Sequence, residues 1–177
     1  MLNRNALEQQ LSQLPLFQYE FLKSEELVFT ERVRHVCETE CPMYGKTWAC
    51  PPAVGTVAAC RERCLAYPEL LMISTVTEVQ DSANIEETLA TRGEHEAVTH
   101  QVAEMVKAQG CDVMALSTEA CAICEHCAYP NAPCRHPERM FPCVESHGIL
   151  VTDIAEKHGM DFFNGNIVTW FSLIFYR

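Results

Sequence analysis

Cys121, Cys124 and Cys127 are separated by two residues each, and Cys134 follows after six more, in the run CAICEHCAYPNAPC. Two-residue gaps let one turn of chain offer successive sulfurs to different irons of a cuboid, and a fourth thiolate arriving beyond a proline loop closes the site. The chemistry this spacing suggests is a four-iron, four-sulfide cluster. Zinc is the competitor, since it also accepts four thiolates. Structural zinc sites, however, usually come as two separated Cys-x-x-Cys knuckles, and three cysteines packed into one short run suit that geometry poorly. A redox dithiol at Cys121 and Cys124 would leave Cys127 and Cys134 unexplained.

A second set lies upstream in CETECPMYGKTWACPP and the residues after it: Cys37, Cys41, Cys50 and Cys60. Its wider gaps are less specific, but Cys41-Pro42 and Cys50-Pro51-Pro52 stiffen the ligand loops, and Arg34, Lys46, Arg61 and Arg63 bring positive charge. That charge has a use, because an oxidised four-iron core with four thiolates adds roughly −2. Two such sites would take the formal charge from −11 to about −15. Cys64, one helical turn from Cys60, could replace it, and ligands can cross between segments as in two-cluster ferredoxins. Cys111 reads as a small core residue and Cys143 is ambiguous. Gly45-Lys46-Thr47 imitates the end of a phosphate loop, yet Glu40 stands where that loop needs glycine.

His126 and His136, inside the second segment, could replace a thiolate but read better as neighbours of a centre or as solvated groups. His95 and His100, five residues apart on an acidic helix, read as solvated. Arg135 and Arg139 could donate to cluster sulfurs or pair with Glu138 or Glu145. Tyr44, Trp48 and Tyr129 could shield a centre from water. No catalytic triad, carboxylate pair or dinucleotide fingerprint is present, so no catalytic residue is assigned.

Eleven cysteines in 177 residues favour metal ligation over disulfides if the chain sits in a reducing compartment. A cytoplasmic location is the expectation, because Met1–Gln10 carries Arg4, Glu8 and several amides where a secretion signal needs an apolar core. The longest apolar run, Ile167–Tyr176, is strand-sized, so no membrane is expected as a partner. Between Glu69 and Glu119 ten acids face only Arg92 and Lys107, whereas Arg32–Arg63 holds five bases against three acids. So acidic a whole excludes an extended nucleic-acid-binding face.

The elements that must position the cysteines follow from periodicity. Leu16–Leu22 alternates as a strand, and Ser24-Glu25-Glu26 reads as the start of a helix that delivers Cys37 at its end. Thr56 caps a short helix to Ala66 that carries Cys60 and Cys64. Glu69–Val79 reads as a strand, Asp81 and Ser82 as the start of one long helix ending near Gly110, and Cys111–Ser117 as the next strand. This strand–helix–strand order suggests a crossover unit. A helix over Val144–His158 and a strand over Ile167–Tyr176 complete the chain. The expected class is α/β (α+β): one small mixed sheet with packed helices, forming a single metal-binding domain over residues 1–177 with cysteine segments 37–64 and 121–143 embedded in it.

The stretches YGKTWACPPAVGTVAAC and CAICEHCAYPNAPCRHPERMFPCVESHGILV resemble the bacterial and archaeal predicted metal-binding proteins, a cysteine-rich domain of unknown function. The resemblance runs from about residue 16 to the C-terminus. It implies metal binding by Cys37, Cys41, Cys50, Cys60, Cys121, Cys124, Cys127 and Cys134, and an anaerobic setting, which suits oxygen-sensitive clusters. The chain departs from the family's pattern at Cys64 and Cys143, which read as local additions. The function expected is a protein with two [4Fe-4S] clusters that passes single electrons between redox partner proteins. A cluster-containing enzyme or reductive activator with an open iron site and a zinc-stabilised interaction module are the alternatives.

Overall fold

The computed structural model describes residues 2–163 and 165–177. Four strands, β1 (Gln18–Lys23), β2 (Glu69–Glu78), β3 (Val113–Leu116) and β4 (Ile167–Tyr176), form one sheet in the order β1-β2-β4-β3. The class is α+β. Every ladder is antiparallel, where the sequence suggested a mixed sheet. β2 and β3 do run the same way, as a crossover requires, but β4 inserts between them and pairs antiparallel with both.

Both faces of the sheet are covered, which explains why β2 and β4 read as nearly continuous apolar runs. Side chains alternate between two cores. Leu70, Met72, Leu173 and Phe175 point to one, with Cys64 of α3 (Val57–Leu65) and Ile154 of α6 (Val151–Lys157). Leu71, Ile73, Ile174 and Tyr176 point to the other, against Leu7 and Leu11 of α1 (Arg4–Leu11) and Val98, Val102 and Val106 of α5 (Arg92–Ala108). Helix α1, not foreseen from the sequence, is capped by Asn3, whose side chain accepts from the Ala6 amide.

Several element boundaries differ from expectation because tertiary pairing overrides local signals. Ser24–Glu26 makes only a 3-10 turn, and α2 (Glu31–Thr39) starts at a Thr30 cap. Between them Phe29 bridges Ile149 and the Thr30 amide donates to the Gly148 carbonyl at 2.8 Å. The long acidic helix is split into α4 (Ile85–Ala90) and α5. At the break the Thr91 hydroxyl bonds the Thr88 carbonyl and also accepts from the Trp170 indole, both at 2.8 Å, so the side chain competes with the helix ladder. The helix expected over Val144–His158 is a 3-10 turn, Glu145–His147, followed by Gly148 at φ +77° and then α6. A Cβ at Gly148 would sit 3.0 Å from the Thr30 carbonyl oxygen and from a Val57 methyl, so only glycine fits.

Candidate metal centres

The second cysteine segment leaves the end of β3 through Glu119, whose φ of 57° is rare for a residue with a side chain. Beyond it, Cys121, Cys124, Cys127 and Cys134 all wall one small cavity of about 20 Å³, together with Trp48 and His136. The loop holds itself in place: the Arg135 guanidinium donates to the His126 carbonyl at 2.9 Å, and the Ala132 amide to the Ala128 carbonyl at 3.0 Å. Arg135 therefore braces the loop and pairs with neither Glu138 nor Glu145. His126 projects into solvent, 89% exposed, and only His136 of the two histidines borders the cavity.

In the first segment, Cys37 comes from the last turn of α2, Cys41 from just beyond it, and Cys50 from the loop that follows. Burial pushes the Cys37 thiol up to about 11; Cys41 and Glu145 add to the rise and Arg34 opposes it. Burial also raises Cys50, with Cys41 and Cys121 adding. Cys41 and Cys50 both bear on the Cys37 thiol, and Cys41 on that of Cys50. Glu145 joins them, its carbonyl accepting from the Cys37 sulfur at 3.9 Å and its carboxylate from the Cys143 thiol at 2.8 Å. Burial, then Glu145, holds Cys143 well above the ordinary thiol range, and Cys50 contributes.

Cys60 has different company. Its buried sulfur lies 3.2 Å from Arg63 Nη2 and 3.7 Å from Arg34 Nη2, and it donates to the Val54 carbonyl at 3.5 Å. Arg34, itself buried, also donates to the carbonyls of Gly55 at 2.7 Å and Ser146 at 2.5 Å, tying α2 to both turns. Cys64 turns into the core, where burial and then Cys60 push its thiol up to about 12. Cys111 packs at the edge of the opposite core.

The two segments touch. Trp48, two residues before Cys50, reaches into the second segment: its indole N–H donates to the Ala132 carbonyl at 3.0 Å and its ring meets Tyr129 edge-on at 4.9 Å. Lys46 is exposed. Among the described residues, no group of three or more Cys, His, Asp or Glu side chains is arranged to hold one metal ion. What the fold supplies instead is four thiols lining one small cavity, and a second set in which Cys37 and Cys41 are half-buried and Cys50 and Cys143 buried.

A family model described as "Predicted metal-binding protein (DUF2284)" matches residues 20–176, a span that includes both cysteine segments. The chain belongs to this family. No curated protein and no solved structure matches it. For this predicted metal-binding protein, the cysteines are free of disulfides throughout, so their thiols are available as soft donors. The donor set fits such a group, since a bound cation reverses the burial penalty and holds coordinating thiols deprotonated.

Two histidines depart from the sequence reading. His95 is fully buried, its ring nitrogens 2.8 Å from the Thr75 hydroxyl and 2.7 Å from that of Ser172. His100 stacks on Phe141, with ring centroids 4.2 Å apart. The spacing of the pair said nothing about what α5 packs against. Glu145 was seen only as an ion-pair partner; its place two residues after Cys143 was the available signal for something more.

Proposed function

We propose that this family member binds two [4Fe-4S] clusters in the cytoplasm and passes single electrons between partner proteins. The observation that carries the reading is the cavity walled by Cys121, Cys124, Cys127 and Cys134, whose spacing is that of a four-iron site. A single zinc ion needs four sulfurs about 3.8 Å apart, from a zinc–sulfur bond of about 2.3 Å in a tetrahedron. Among the described residues no three Cys, His, Asp or Glu side chains are gathered around one ion position, whereas a cuboid offers each thiolate its own iron. Cys37, Cys41 and Cys50 supply three thiolates of the other centre.

When bound, such clusters supply one-electron redox chemistry. The protein's own groups set the conditions for it. Arg34 and Arg63 offset the negative charge of a thiolate-bound centre, and both are anchored to backbone carbonyls, at Gly55 and Ser146 for Arg34 and at Val54 for Arg63. Trp48 closes one wall of the second cavity against water and bridges the two cysteine segments. The acids on α4 and α5 give the opposite part of the sequence a negative field that steers basic redox partners.

The test is a reductive titration of protein purified without oxygen, followed by absorbance and electron paramagnetic resonance. Two centres that each accept one electron, and then reduce a basic acceptor protein, are expected. A protein that takes up no electrons from a strong reductant would refute electron carriage.

A further inference from the structure

The cysteine spacing suggests Cys60 as the fourth ligand of the first centre; the geometry points to Cys143 instead, a residue more distant in sequence. This inference rests on the two-cluster reading and names one ligand within it.

Backbone and side-chain contacts place Cys143 beside the Cys50 loop and, through Glu145, beside Cys37. The Cys143 amide donates to the carbonyl of Ala49, the residue before Cys50, at 3.3 Å. A parallel bridge to Ser117 at the end of β3 fixes the same residue from the other side. Glu145 then touches both sulfurs, its carboxylate at 2.8 Å from Cys143 and its carbonyl at 3.9 Å from Cys37. Cys143 is thus held between the loop that presents Cys50 and the helix end that presents Cys37. In Cys60 the sulfur is already enclosed by Arg63, Arg34 and the Val54 carbonyl. The Nη2 atom of Arg34 contacts both Cys60 and the Ser146 carbonyl, so the guanidinium bridges from α3 to the turn that bears Cys143. Cys60 acts as an acceptor for the two arginines that balance the centre, one step removed from the metal.

Iron and acid-labile sulfide per chain, with electron paramagnetic resonance of the reduced protein, are compared for wild type, Cys143→Ser and the double variant Cys60→Ser/Cys64→Ser, all purified anaerobically. Wild type holds about eight irons and Cys143→Ser about four, with one of two resonance signals lost; the double variant keeps about eight. Half the iron lost from the double variant and none from Cys143→Ser overturns the assignment. If Cys143→Ser gives no folded chain, the double variant decides: a full complement supports Cys143, and a half complement returns the place to Cys60 or Cys64. Wild type without sulfide is a different result, since it removes the two-cluster reading and not merely this ligand.

Discussion

At Cys37 and Cys50 burial raises the thiol pKa, to about 11 for Cys37, so the metal-free protein keeps these sulfurs protonated at neutral pH. Loading must displace those protons, and apparent metal affinity should therefore climb as pH rises from about 7 to 9. Competition with a chelator of known affinity measures this; an affinity flat with pH would contradict it. At His95 the direction is set by burial in the Thr75–Ser172 network, which lowers its pKa from 6.5 to about 4. Its folded pKa lies below its unfolded one, so its contribution to stability is fully present above pH 6.5 and is lost as pH falls towards about 4. Denaturant unfolding of His95→Gln should show a shallower loss of stability between these values than wild type. That Cys121, Cys124, Cys127 and Cys134 face one cavity was legible because their spacing is a local signal. His95 was not, since its burial depends on which sheet α5 covers, and the contacts of Cys143 with Ala49 and Ser117 are long-range.

Among the elements, the turn from Cys143 to Ile149 is the piece that would join the proposed first centre to the fold. Gly148→Ala would force a Cβ to within 3.0 Å of the Thr30 carbonyl and Val57 at a positive φ, at a cost of about 1–3 kcal/mol. Iron analysis of that variant should find the first centre depleted before the second, whereas equal loss from both would mean that the turn serves only general stability. On the far side of the sheet, Leu7→Ala should cost about 2–5 kcal/mol by opening a cavity under α1, with iron content unchanged once the variant is folded. The strands and α3 could be read from periodicity and the Thr56 cap, because those signals agree with the packing. The start of α2, the break before α5 and the turn at Gly148 were hidden, since each is decided by a partner from another element: Gly148, Trp170 and Thr30.

For the molecule as a whole, two layers cover the sheet, and the cysteine segments meet through Trp48, whose indole reaches the Ala132 carbonyl. On the proposed function, a chain with formal charge −11, made more negative by two thiolate-bound centres, should exchange electrons with a basic acceptor at a rate that falls steeply with ionic strength. Stopped-flow rates that do not change between low and physiological salt would argue against electrostatic steering. The central claim is narrower and comes first: this family member holds clusters and not single ions. Iron, zinc and acid-labile sulfide measured together on one anaerobic preparation test it directly. The account predicts about eight irons and about eight sulfides per chain. Zinc in the absence of sulfide would contradict it.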